Sequence, residues 1–62
     1  MAELKKIWKG TGYNKNVTLK EYKYSDGTIH YEFRDRNYLP GNPSQEEAEE
    51  IIKRWRLEEI NY

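Results

Sequence analysis

His30 is the only imidazole in the chain, and an imidazole is the side chain whose ordinary titration falls near neutrality. General acid-base work also needs a positioned partner and a pocket, and the sequence around His30 offers neither. It reads as a solvated strand residue beside Lys23. Ser, Thr and Asp are present, but one imidazole and no glycine-flanked nucleophile give no case for covalent catalysis. Gly10-Thr11-Gly12 is too sparse to cradle a phosphate. With no Cys and a single His, a tetrahedral zinc site has no ligand set. The residue types therefore argue against an enzyme, a metal and a cofactor, and leave binding.

Three groups of residues could bind. Glu21 and Glu32 fall on neighbouring strands where like charges face one another, an arrangement that destabilises a sheet. Either Lys23, His30 and Arg34 neutralise the pair diagonally, or the two carboxylates form an anionic spot for a partner's donors. Tyr38 and Leu39 are an apolar pair inside a loop bounded by Pro and Gly. They either plug the core or wall an exposed recess of the kind that marks protein interfaces. Glu46, Glu47, Glu49 and Glu50 form an acidic row, read as a solvated helix start or as a mimic of phosphates.

The elements that must position these residues are partly legible. Ser25-Asp26-Gly27-Thr28 lies between two β-rich runs, and Asp-Gly accepts the positive φ angles of a two-residue hairpin turn. With Asp26 and Gly27 as the turn, the register pairs Tyr24 with Ile29, Tyr22 with Tyr31 and Lys20 with Phe33 on an aromatic face. Lys23 with His30, Glu21 with Glu32 and Leu19 with Arg34 then fall on the opposite face. Ser44 and Glu47 have the spacing of a capping box. Ala48, Ile51, Ile52 and Trp55 follow at helical spacing, an apolar stripe suited to cover the aromatic face. Leu57 leaves that stripe at 100° per residue, and Ile60 and Tyr62 leave it too, so either the helix ends near residue 58 or its tail forms a second contact surface at Leu57 and Ile60; the second surface, as part of a dimer, is the expectation. Leu4, Ile7 and Trp8 fit a helical turn while Leu4, Lys6 and Trp8 fit a strand, so a third, N-terminal strand is an open alternative.

A chain of 62 residues forms one domain, residues 1 to 62, and hides only a modest fraction of its surface. Small scaffolds need an additional source of stability. Without Cys that source is packing by the two Trp, six Tyr and one Phe, or a second copy of the chain. The fold expected is α+β: an antiparallel hairpin packed on one C-terminal helix, its sheet extended across a homodimer. No apolar run approaches the roughly 20 residues that span a bilayer, and the first residues lack a secretory signal's apolar core. The expectation is a cytoplasmic protein with no membrane partner. Eleven basic and eleven acidic residues cancel, whereas a nucleic-acid binder carries a net basic footprint.

Several short motifs, in order, are shared with one family. Asn16-Val17-Thr18 opens the first hairpin strand, Asp26-Gly27 precedes Tyr31-Glu32-Phe33, and Leu39 with Gly41-Asn42 follows in the loop. Ala48-Glu49-Glu50-Ile51-Ile52-Lys53 lies in the helix, with Arg56-Leu57 after it. In these the chain resembles the small dimeric uracil-DNA glycosylase inhibitors of certain Bacillus podophages, from Asn16 to Ile60. The resemblance implies a two-fold dimer with a merged sheet and an apolar recess at its junction. That recess would hold the leucine the glycosylase normally inserts into DNA, while carboxylates stand where phosphates would. By position it makes Glu32 the carried-over carboxylate and has Tyr31, Tyr38 and Leu39 line or support the recess; Glu21 joins these candidate partner-binding residues from the like-charge reading alone. The partner would be the host glycosylase and the location the host cytoplasm. The chain departs from the family in its shorter, proline-rich loop and its neutral charge. Two other readings fit the same element order: a small DNA-reading domain of the phage integrase arm-binding type, with Lys20, Lys23, Arg34 and Arg36 along a groove, and a HicB-type antitoxin.

Overall fold

The fold, seen in a computed structural model, is described for residues 2–37 and 40–60. Five strands and one helix follow in the order β1 (Ala2–Lys9), β2 (Thr18–Tyr24), β3 (Ile29–Arg34), β4 (Pro40–Gly41), α1 (Gln45–Trp55) and β5 (Glu58–Ile60), with a short 3-10 turn at Gly12–Asn14. The sheet order is β4-β3-β2-β1-β5, every neighbouring pair antiparallel. This is the α+β class expected, with the open alternative of an N-terminal strand resolved as β1. Two short strands, β4 and β5, add to it.

The hairpin register differs by one residue from the sequence expectation. Leu19 lies opposite Phe33, Lys20 opposite Glu32, Glu21 opposite Tyr31 and Tyr22 opposite His30. The cause is the turn. Tyr24 donates its N–H to the Thr28 carbonyl at 2.9 Å, and the Tyr24 carbonyl accepts from Gly27 at 2.9 Å. The loop is therefore the three residues Ser25, Asp26 and Gly27, with Gly27 at φ 90°, a turn closed by a glycine bulge rather than a two-residue turn. Asp26 locks it by accepting from both the Thr28 N–H at 3.0 Å and the Thr28 hydroxyl at 2.6 Å. Those bonds hold its carboxyl below the usual range.

A one-residue slip exchanges the faces of one strand relative to the other. Leu19 and Glu21 join Tyr31 and Phe33 under the helix, while Tyr22 and Tyr24, expected there, turn to the opposite face. The facing pair of Glu21 and Glu32 does not exist. Gly27 has open space around it, so Gly27→Ala would cost only its left-handed backbone, about 1 kcal/mol. We expect the melting temperature to fall by about 5 °C; a calorimetric scan that leaves it unchanged would contradict this turn.

The helix forms as its sequence predicts. Ser44 accepts from the Glu47 amide at 3.3 Å, and the Glu47 carboxylate accepts from the Ser44 amide at 3.1 Å. That reciprocal bond lowers the Glu47 carboxyl pKa, and Lys53 and Arg54 suit the negative end. Ala48 is buried, and Ile51, Ile52 and Trp55 pack on a core of Val17, Leu19, Tyr31 and Leu57. The Trp55 ring lies 6.4 Å from that of Phe33.

Leu57 is 7% exposed and belongs to this core, so it is not part of a second surface on the protomer. The helical phase stops before it. Arg56 adopts the left-handed conformation at φ 52°. The Leu57 N–H then donates back to the Ile52 carbonyl at 3.0 Å and the Arg56 N–H to the Lys53 carbonyl at 3.3 Å. This closing motif satisfies the last carbonyls and swings the following apolar residue inward. The chain continues as β5 beside β1, Ile60 opposite Ile7.

Candidate functional site

The helix covers one face of the sheet, and among the described residues no element covers the other. Partners in an antiparallel ladder share a face, which assigns the open face directly. Leu4 lies opposite Tyr22, Ile7 opposite both Lys20 and Ile60, and Tyr22 opposite His30. Leu4, Ile7 and Tyr22 are half-buried, and Ile60 and Tyr24 are exposed at 38% and 43%. Leu4 and Ile7 are three residues apart and would face opposite ways in a regular strand. A bulge between Leu4 and Lys6 shifts the pairing by one, so both reach the open face while Trp8 stays with the core. The result is an apolar strip running from Ile60 on β5 across β1 to Tyr22 on β2.

Charges of both signs border the strip. Lys9 lies opposite Glu58 and Lys20 opposite Glu32, and Arg34 contacts Glu32 at 3.3 Å. These three cations share two neighbouring carboxylates, which weakens the field they offer a phosphate backbone.

The site residues expected from sequence are dispersed. Glu32 is on the open face, half-buried and ion-paired with Arg34. Tyr31 and Glu21 are on the helix side, where the Tyr31 hydroxyl donates to the Glu21 carboxylate at 2.9 Å. Ile60 lies on the open face at its edge. Tyr38 and Leu39 lie outside the described residues. Leu4, Ile7 and Tyr22 were missed as site residues. The i, i+3 spacing of Leu4 and Ile7 was the available signal, but it needed the bulge to make sense as a strand.

Burial, then the hydrogen bond and charge of Glu21 and the charge of Glu49, push the Tyr31 phenol up from 10 to about 12. Below pH 10 the folded and unfolded chains both keep this proton, so the stabilisation is complete. Between 10 and 12 the unfolded chain loses it first, and stability falls as the pH rises. Glu21→Gln removes the charge and leaves the burial. Followed by phenolate absorbance, the highest titration step should move down from about 12 while staying above 10; a step that stays put would exclude Glu21 as a cause.

At the hairpin tip the Thr28 hydroxyl lies 3.1 Å from His30 Nε2 and 2.6 Å from Asp26. The hydroxyl gives its only proton to the Asp26 carboxylate, so it accepts from the imidazole, the reverse of an activated nucleophile. The three groups are exposed and lock the turn. Among the described residues no cluster of His, Asp and Glu could hold a metal, and no helix is long and apolar enough to cross a membrane. Comparison with protein-family models, with characterised proteins and with solved structures returns no match.

Proposed function

We propose that the chain is a non-catalytic inhibitor of a uracil-DNA glycosylase, gripping the enzyme by protein-protein contact through the helix-free face of its sheet. The observation that carries this reading is the strip of Ile7, Tyr22 and Ile60, which no described element covers. Apolar residues gathered on one face with charges at the rim are the composition of a protein interface. The choice of enzyme rests on the resemblance of residues 16 to 60 to the phage inhibitors. In this reading the glycosylase's intercalating leucine enters the strip, with Glu32, which also holds Arg34, and Glu58 at its rim. The outer edge of β5 pairs with no strand among the described residues. A second copy joined there would merge the sheets and set two strips side by side, with Ile60 close to the two-fold axis.

A sheet that reads DNA is the second reading, favoured by Lys9, Lys20 and Arg34 on the same face. The two carboxylates beside these cations weigh against it. One experiment addresses both. Added in equimolar amount to a bacterial uracil-excision assay, the protein should abolish excision at every substrate concentration below saturation. Full activity at micromolar excess, together with retention of labelled duplex DNA that weakens steeply with salt, would replace inhibition with DNA binding.

A further inference from the structure

We propose that the free edge of β3 at Ile29–Tyr31 docks an extended segment of a partner protein, one that carries Lys or Arg on its helix-facing side. This inference stands apart from the proposed inhibition and uses a different surface. β4 pairs only with Phe33 and Arg34, so among the described residues nothing pairs with the first half of β3 on its outer side. Tyr24 donates to the Thr28 carbonyl across the hairpin. Bonding alternates along an antiparallel ladder, so His30 and Glu32 turn their backbone groups inward to β2. Ile29 and Tyr31 turn theirs outward.

Exposed edges are usually blunted by proline, a bulge or an inward-pointing charge. The stretch Ile29–Tyr31 has none of these. After β4 the chain veers off through Pro43 and Ser44 to the helix, opening a recess of about 490 Å³ between Ile29 and Tyr31 on one side and Ser44 and Glu47 on the other. A strand entering this gap continues the line of β4. It gains main-chain bonds from the edge, the mode by which many domains capture peptides.

Charge selects the guest. Side chains on one side of it meet Ser44, Gln45 and Glu47 at the start of α1, with Glu46 and Glu49 on the adjoining surface, and these three carboxylates make no ion pair among the described residues. The positive helix end offsets part of this charge, and Lys23, opposite Ile29, lies one strand further in. What remains is anionic and favours Lys or Arg. On the other side the guest lies beside His30 and Tyr24, whose ring centroids are 4.5 Å apart with their planes tilted by 59°, an aromatic wall that suits aliphatic side chains.

The test is an amide NMR titration of the full chain with a short capped peptide alternating lysine and valine. We expect shifts and slowed hydrogen exchange concentrated at Ile29 and Tyr31, weakening as salt is added. A peptide alternating glutamate and valine should leave these amides unmoved. Glu46→Lys should weaken binding about threefold, and Ile29→Pro, which removes an outward donor that the fold does not use, should abolish it. Equal response to the acidic peptide, a response centred on Glu58–Ile60, or none at millimolar peptide would overturn the proposal. The comparison of the two peptides on the unmodified chain decides the matter even if Ile29→Pro fails to fold.

Discussion

Leu19→Ala should leave no cooperatively folded protein at 25 °C. Leu19 is 0% exposed. It sits on the central strand with Trp8 opposite it on one side and Phe33 on the other, in the core that α1 covers. Truncating a fully buried leucine costs about 2–5 kcal/mol, because transfer energy is lost and a cavity remains. A single core in a chain of this size supplies roughly 3–5 kcal/mol in all. The loss matches the whole. Circular dichroism through a urea titration is the measurement: the variant should show no transition, and Leu19→Met, which keeps the volume, should show one close to that of the unmodified protein. A cooperative transition in the alanine variant would mean that the core is centred elsewhere.

Ile7→Glu should do the opposite, leaving the fold and removing the activity. Ile7 is half-buried in the middle of the open strip, between Lys20 and Ile60, and no described element packs over it. Placing a carboxylate there costs the sheet on the order of 1 kcal/mol. At a protein interface a carboxylate stripped of water at the centre of the apolar contact costs far more even with Lys20 across the ladder, about 2 kcal/mol or beyond, which is roughly 30-fold in affinity. The concentration giving half-inhibition of uracil excision should rise by at least that factor while the circular dichroism spectrum stays the same. Inhibition undiminished in a folded Ile7→Glu protein would clear the open face of any role.

Much of this architecture is readable from local signals. Ser44 and Glu47 announce the helix start, and Ala48, Ile51, Ile52 and Trp55 announce its buried stripe, because capping and helical period are set within a few residues. The hairpin is announced by Asp26-Gly27, but its register is not. The same dipeptide serves a two-residue turn and a three-residue turn with a glycine bulge, and the grip of Asp26 on Thr28 selects the second. That single residue moves Tyr22 from the helix side to the open face and dissolves the apparent clash of Glu21 with Glu32.

Two other departures share a physical cause. The extrapolated phase of Leu57 assumes an unbroken helix, whereas the left-handed Arg56 resets the chain direction. The mixed period of Leu4, Ile7 and Trp8 assumes a regular strand or helix, whereas a bulge changes which side each residue faces. Both are one-residue irregularities, invisible to periodicity, and both decide which residues are left for function. β4 and β5, of two and three residues, are too short to carry a pattern of their own and exist because β3 and β1 offer them edges.

The most direct trial of the account is to add unlabelled bacterial uracil-DNA glycosylase to the isotope-labelled chain and map which amides respond. Perturbation gathered at Leu4, Ile7, Lys20, Tyr22 and Ile60, saturating at one inhibitor unit per enzyme, is the expected result. Signals that stay in place, or that move only along the outer side of α1, would contradict a grip made by the helix-free face of the sheet.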